Sequence, residues 1–590
     1  MVFGWHLLVT GKKIERFLIK IQRRNKMSKK IIVIGGSAAG PKAAARAKRL
    51  DQEAEITIIQ KAADLSMASC GYPYYIGGVF EDRNMLVSTP TGVTRNPKFF
   101  LNAKGINAKT ETEVIEINKE AHTVTLKDLK TNATEIADYD KLIIATGSIP
   151  RIPNIPGNDL QGITTLQSMK DADYLRKIRD EGIIKKAVII GGGLIGIETC
   201  EALHLAGIET IIIELLPQLL TFLDIELAKL VENHVKSKGA NVLTNNGLVE
   251  FLGENGVLNA VKLQNGTELP CELAVVAIGV KPNTSLAKRA GLQIGETNGI
   301  SVNEYLQTSD PDIYAAGDCI EVINLNTNKK TVAPYGDLAN LEGRVAGENV
   351  ICGNSVTFPG TIHTGICKIF DFTAGSTGLS ETAARNAGRT NIVTVINASP
   401  DKPTFMTGKL LVSKMTVEKT TGKLLGLQCV GLGDVSKQIS MAAMAIKGGL
   451  TVADIVNADL PYAPPFSLAI DHFIATAHIM ENKIKGRMDG VSTREVKEFL
   501  DNKKDMYILD LCAPEEFESM RLGIGETLIP LGVFRTRLHE MPQDKNKLII
   551  CYCKISLRGY EAATLLKAKG WTNVKVMEGG IMAWPYARER

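Results

Sequence analysis

Two cysteines stand in surroundings that could give them chemistry. Cys70 lies in "SMASCGYPYYIGG", Ser66 to Gly78, with no second cysteine inside the stretch. A dithiol can hold and release a disulfide by itself. A single thiolate needs an external partner, either stored oxygen as a sulfenic acid or a small thiol held as a mixed disulfide. Pro73 is tolerated only in the first turn of a helix, so the sulfur is expected at a helix N-terminus. Aligned peptide dipoles there are expected to bring the thiol well below its free value of ~8.5. Cys553 opens "CKISLR", in which Arg558 follows after four residues and a helical pattern begins. Six residues of this kind curl so that backbone N–H groups and the helix dipole surround the sulfur, a nest for a persulfide anion. Cys551, two residues earlier, faces the same side, but C-x-C on an extended strand is poorly shaped for a disulfide.

A lone thiol needs a source of electrons, and two glycine-rich turns indicate one. In "KKIIVIGGSAAGPKAAARAKRL" an apolar strand runs into Gly35, Ser37 and Gly40, with Ala38 and Ala39 between, and then into an Ala-rich helix. Serine is small enough to let backbone amides approach a pyrophosphate. The next strand ends at Gln60, beside Lys61, where an acid usually accepts from a ribose; glutamine can still bond a hydroxyl. The pattern returns in "KKAVIIGGGLIGIETCEALHLAG", with Gly191, Gly193 and Gly196 around Leu194 and Ile195, and a following strand ends in Glu214. A carboxylate there accepts from a free 2′-hydroxyl and repels a 2′-phosphate, so NADH is expected over NADPH. Two such units predict two Rossmann-like domains and two dinucleotides.

Further motifs follow in order. They are "YDKLIIATGSIPRIP" with Ala145, Thr146 and Gly147, "AVVAIGVKPN" with Gly279, and "TSDPDIYAAGDCIEV" with Gly317 and Asp318. Together, over about residues 29–350, they resemble the two-dinucleotide-binding flavoprotein reductases. The resemblance implies FAD in the first unit, with Asp318 on its ribitol, and NADH in the second. "SMASCGYPYYIGG" resembles the corresponding element of coenzyme A disulfide reductases and persulfide reductases; the NADH oxidase and peroxidase branch is the alternative. What it implies is a coenzyme A site. Arg46 and Arg49 would meet the pantetheine and nucleotide end, Ser66 and Ser69 would flank the thiol, and Lys98 would contact a phosphate. Asn340 and Arg344, four apart, would share one helix face. Residues 351–478 resemble the α+β dimerisation domain of these enzymes, which implies a homodimer with Tyr462 over the partner subunit's cysteine. Relatives commonly carry a second tyrosine in the strand that here reads "TFMTGK", so Thr404 or Phe405 replaces it.

From about residue 479 the pattern resembles a rhodanese domain, an α/β unit with Cys553 as nucleophile and Arg558 closing its loop. Related phosphatases have one more loop residue to admit a tetrahedral phosphate, so the loop suits sulfur transfer. Two departures stand out: Cys512 in "LDLC" replaces the usual arginine, and "RLGIGE" lacks a histidine. An inactive scaffold domain is the alternative.

The 590 residues suit several domains, and 44% apolar with 23% charged residues excludes disorder. The expected boundaries are 27–150 with 281–350 for FAD, 151–280 for NADH, 351–478 for dimerisation and 479–590 for the rhodanese unit. The net charge of +5 is misleading, because residues 1–26 hold seven basic side chains against Glu15. The remainder is near neutral and leaves no footprint for nucleic acid. That extension is expected to be an upstream start ahead of Met27, or a basic amphipathic arm. No apolar run is long enough to cross a membrane. The ten scattered cysteines contain no C-x-x-C, which suits a reducing cytoplasm. The joint reading is an NADH- and FAD-dependent reductase of persulfide, polysulfide or coenzyme A disulfide at Cys70, supplied with sulfane sulfur by Cys553. Its rivals are an NADH oxidase or peroxidase and a redox-sensing sulfur-carrier scaffold.

Overall fold

Both glycine turns grow out of the same structural unit. In the computed structural model, which describes residues 28–589, the strand Lys30–Ile34 lies central in a five-stranded parallel sheet. Glu55–Ile59 and Asn107–Lys109 lie to one side, and Lys141–Ile144 and Ile313–Ala315 to the other. The strand Lys186–Ile190 occupies the same place in a second parallel sheet, flanked by Glu209–Ile213, Asn241–Leu243, Leu273–Val276 and Ile163–Thr164. These strands are nearly continuous Ile and Val, as parallel strands covered on both faces must be. Residues 1–26, for which a start signal or amphipathic arm was considered, lie outside the described residues, as does Met27.

The two sheets are joined by a pair of short antiparallel strands, Ser148–Pro150 and Val280–Pro282. Each follows a strand of one sheet, so the chain crosses between the units twice at this pair of strands. The helix Ala39–Leu50, which starts at the first glycine turn, packs unusually close to the helix Gly336–Cys352. A Cβ on Gly343 would stand 2.3 Å from the Ala39 carbonyl oxygen, and one on Gly347 2.3 Å from that of Ala43. Only glycine permits this approach.

Residues 365–431 build a five-stranded antiparallel sheet, covered by the helices Val435–Gly448 and His472–Ile484. The segment "TFMTGK", expected as strand, is instead a tight turn, Thr404–Met406, between the strands Ile392–Pro400 and Leu410–Glu418. Thr407 takes a left-handed conformation there, φ 55°, and Phe405 is turned out to solvent.

The last unit is a parallel sheet in the order Gly490–Val491, Val574–Met577, Ile549–Tyr552, Tyr507–Asp510 and Thr527–Leu528. It rests on the same chain's other units. Buried Glu578 accepts the Ile396 N–H at 3.0 Å and pairs with Lys483. Asn233 Nδ2, on the helix Ile225–Ser237, donates to the Pro585 carbonyl at 2.7 Å. Ile555 of the sulfur loop joins an apolar cluster shared with the second parallel sheet and the antiparallel sheet.

Candidate functional site

The first glycine turn is held by its own strand end. Gly35 has φ 109°, and its N–H donates to the Ile59 carbonyl at 2.8 Å. A Cβ on Gly40 would collide with the Gly35 carbonyl oxygen at 1.9 Å. Gln60 does not stand free as expected: its Oε1 accepts the Gly36 N–H at 2.9 Å, and its amide donates to the Asp64 carbonyl at 3.1 Å. One lone pair and one N–H remain for a ligand. Lys61 is paired with Glu113 at 2.8 Å. Ser37 is exposed, at the mouth of the turn.

The second turn repeats this arrangement. Gly191 again has φ 109°, and a Cβ on Gly196 would stand 2.0 Å from the Gly191 carbonyl oxygen. Glu214 Oε2 accepts the Gly192 N–H at 2.7 Å and Oε1 the Leu216 N–H at 2.8 Å, which leaves one lone pair on each oxygen. Gly193, Ile195 and Gly279 are exposed. A Cβ on Gly147 or on Gly279 would meet nothing within 4 Å, so both turns border open space. Asp318, with Gly317 before it at φ 84°, accepts from Ser148 Oγ at 2.8 Å, and burial raises its carboxyl.

Cys70 sits in the short turn Ser69–Gly71 that leads into the helix Tyr72–Ile76. The residue is exposed. Its sulfur faces the first turn of the helix Gly336–Cys352: a Cβ on Gly336 would stand 3.7 Å from it. The expected lowering of the thiol is not found. Burial pushes Cys70 up, and the carboxylates of Glu198, Asp318 and Asp337 add to it. The helix that follows has only five residues, and its dipole is outweighed by burial, with three acids from remote parts of the chain adding to it.

Sequence reasoning missed Glu198, Tyr74, Glu342 and Arg95. Glu198, on the helix Leu194–Leu205, accepts from Tyr74 Oη at 3.4 Å, and burial pushes its carboxyl up to about 7. Glu342 Oε2 accepts the Gly317 N–H at 2.7 Å and is pushed up to about 8 by burial. Arg95 donates to Ser66 Oγ at 2.9 Å and to the Ser88 carbonyl, and its Nε is buried without a partner. Burial lowers it, and among the described residues it has no carboxylate partner. The only sequence signal for Glu198 was its place on the helix that starts at the second glycine turn.

The expected coenzyme A residues fare unequally. Arg46 is not free, because its Nε and Nη2 both bond Glu348 Oε2, at 3.0 and 2.6 Å, bracing two helices. Arg49, Lys98 and Arg344 are exposed, with no ion pair among the described residues. Ser69 is exposed beside the thiol, and Asn340 Nδ2 donates to the Gly336 carbonyl at 2.8 Å, near the Cys70 sulfur. Tyr462 lies on an exposed loop with Phe466 and Ile470, and no contact joins it to Cys70 of its own chain.

In the last sheet Cys553 follows the strand Ile549–Tyr552 and is 1% exposed. Its loop turns through Ser556 at φ 74° into the helix Leu557–Ala568. Gly580 passes beneath, where a Cβ would stand 2.1 Å from the Cys553 carbonyl oxygen; that oxygen accepts the Ile581 N–H at 3.1 Å. Arg558 Nη1 donates to Glu516 Oε2 at 2.6 Å, and the Cys553 sulfur is close enough to act on its guanidinium. Cys551 is buried in the sheet core, and burial pushes it up, as suits an inert thiol.

Two glycine-rich strand-to-helix turns of one design, with an exposed cysteine near the turn that carries Asp318, are the features a dinucleotide-dependent disulfide-type oxidoreductase needs. Residues 29–333 match the pyridine nucleotide-disulphide oxidoreductase family, residues 364–473 its dimerisation domain, and residues 492–586 the rhodanese-like domain. The chain belongs to the pyridine nucleotide-disulphide oxidoreductase family and carries a rhodanese-like domain at its end. It is 32% identical to an NADH oxidase of Methanocaldococcus jannaschii over 74% of this chain and 95% of that one. Identity is 34% to an NAD(P)H coenzyme A polysulfide/persulfide reductase of Pyrococcus horikoshii, over 77% of this chain and 99% of that one. The structure of an NAD-dependent persulfide reductase from A. fulgidus superposes with a TM-score of 0.89 at 40% identity, covering 94% of this chain and all of that one. Among the described residues no helix is long and apolar enough to cross a membrane.

Proposed function

We propose that this chain is an NADH-dependent reductase of coenzyme A persulfide, polysulfide and coenzyme A disulfide, working as a cytoplasmic homodimer. The observation that carries the reading is the accessible Cys70 sulfur where the Asp318 turn, the Glu198 helix and the start of the helix Gly336–Cys352 converge. The residues fit FAD: the first turn is a cradle that a Cβ would fill, and Asp318 is a half-buried carboxylate that accepts from Ser148 and keeps lone pairs for a ligand. Bound there, FAD supplies two-electron transfer between NADH and sulfur. Gly35, Ser37, Ala38, Ala39 and Gly40 would hold its pyrophosphate, while Gly191 to Gly196 and Glu214 would hold NADH. Cys70 attacks the inner sulfur of a coenzyme A persulfide, forms a mixed disulfide and expels hydrosulfide. Glu198, whose carboxyl burial raises to about 7, would give the departing group a proton. Arg95, Lys98, Arg49 and Arg344 would steer the phosphates. The exposed Tyr462, Phe466 and Ile470 suit burial against a second subunit, which would bring Tyr462 over its cysteine.

The rhodanese loop favours sulfur over oxygen as substrate, because Cys553 and Arg558 form a persulfide nest on the same chain. The test is anaerobic NADH consumption with coenzyme A persulfide, coenzyme A disulfide, glutathione persulfide and polysulfide, with sulfide measured alongside. Cys70→Ser is expected to abolish NADH-dependent sulfide release while flavin stays bound. Retained turnover refutes the assignment, and turnover that needs oxygen but no sulfur compound makes the protein an oxidase.

A further inference from the structure

We propose that Cys512 is a resolving thiol for the C-terminal loop: it attacks a persulfide carried on Cys553, closes a Cys512–Cys553 disulfide and releases sulfide. The inference rests on the reading above that Cys553 accepts sulfane sulfur.

The two cysteines leave neighbouring strands at the same end. Tyr507–Asp510 and Ile549–Tyr552 pair in parallel with Asp510 opposite Tyr552. The ladder continues with the Leu511 N–H donating to the Tyr552 carbonyl at 2.9 Å. Cys553 is the next residue on one chain and Cys512 the second on the other. Adjacent strands lie ~4.8 Å apart and a disulfide spans Cα separations of about 4.4–6.8 Å, so the backbones start within bridging reach. Both thiols are shut away from water, with Cys512 fully buried and Cys553 nearly so.

The groups around them are those a thiol exchange needs. Arg558 Nη2 stands 3.9 Å from the Cys512 sulfur, while Cys553 is close enough to act on the same guanidinium. One cation therefore faces both sulfurs, fixed by Glu516 at 2.6 Å. On the other side, Asp510 Oδ1 accepts the Cys512 N–H at 2.8 Å, and its Oδ2 is buried without a partner. Asp510 is close enough to Cys512 that, after burial, its charge is the main influence keeping that thiol protonated. A cysteine that only fills space needs neither a guanidinium nor a carboxylate; Cys551, in the core of the same sheet, has neither.

The step balances. Asp510 takes the proton from Cys512 as its sulfur bonds the inner sulfur of Cys553–S–S⁻. The bond to the outer sulfur breaks, and that sulfur leaves with the electron pair beside Arg558, ending as H₂S. Overall, Cys553–SSH and Cys512–SH give Cys553–S–S–Cys512 and H₂S: the sulfane sulfur gains two electrons and each thiol sulfur loses one. Two equivalents of a small-molecule thiol restore the pair and leave as their own disulfide. With coenzyme A as that thiol, the product would belong to the substrate class proposed for Cys70.

The test uses the full chain with Cys70→Ser, reduced, desalted and kept anaerobic without NADH, and thiosulfate as the donor. Sulfite reports loading of Cys553 and sulfide reports resolution. One equivalent of each per chain is expected, with the Cys512 and Cys553 peptides linked and lighter by two hydrogens. Adding Cys512→Ser should leave the sulfite, remove the sulfide and strand one extra sulfur atom on Cys553. The same sulfide from both proteins, or a persulfide that persists on Cys553 or moves to Cys512 without a disulfide, overturns the proposal. Absence of sulfite from both shows instead that Cys553 does not load, and the sulfur-acceptor reading fails with it.

Discussion

At Cys70 burial raises the thiol most, and distant carboxylates add to it. Glu198, Asp318 and Asp337 come from different segments, and each raises the thiol. Glu198 is the one that changes charge near neutrality, its carboxyl standing at about 7. Below that pH it is neutral and favours the thiolate; above it, its charge opposes the thiolate. Glu198→Gln removes that opposition. Alkylation of Cys70 by iodoacetamide in the full-length protein at pH 8 is expected to quicken about three- to tenfold, because more of the thiol is then ionised. The variant should also lose the break near pH 7 in the plot of rate against pH. A profile that matches the wild type would show that Glu198 does not govern this sulfur.

At the scale of elements, what could be read from sequence was what is local. Strand, glycines and strand-end residue recur at fixed spacing, so the turns at Gly35 and Gly191 were legible, as was the loop from Cys553 to Arg558. Contacts across the chain were not. Arg46 looked free because Glu348, its partner, is 302 residues away. Cys70 seemed to have only a helix dipole beside it, since nothing nearby in sequence announces Asp318 or Glu198. The resemblance to relatives places "TFMTGK" in a strand, and the segment is instead a turn between two strands. The close crossing of Ala39–Leu50 and Gly336–Cys352 was equally hidden, and it is testable. Gly343→Ala puts a methyl group 2.3 Å from a backbone oxygen, so one helix must retreat. The expected cost is about 1–3 kcal/mol, seen as a lower thermal midpoint and as loss of flavin on gel filtration, because Gly317 and the first glycine turn sit at the ends of these helices. A midpoint and flavin content equal to the wild type would mean the helices have slack.

Over the whole molecule, the units are locked by charge in places where apolar packing would have been simpler. Lys414, 1% exposed in the antiparallel sheet, pairs with Asp224 at 3.2 Å and Glu226 at 3.2 Å from the second parallel unit, and with Glu381 at 2.9 Å. Although burial opposes it, Lys414 and hydrogen bonds from Thr382 and Gln428 hold the Asp224 carboxyl down at about 2, against an ordinary 3.8. A depressed carboxyl stabilises the fold fully above its unfolded value. That contribution is lost only as pH falls through about 2, so the junction is insensitive to pH across the working range. Lys414→Met reverses the sign. Asp224 and Glu226 then remain buried without the Lys414 cation, while Glu381 keeps Arg385, and a buried carboxylate without a partner prefers its proton. At pH 8 the variant should be less stable by about 3–5 kcal/mol, with the first thermal transition falling accordingly. As the pH drops toward 5 the carboxyls can protonate, so the deficit should shrink, whereas the wild type changes little. A deficit independent of pH would mean that Lys414 acts there through its packed stem, and that the units are held together by shape.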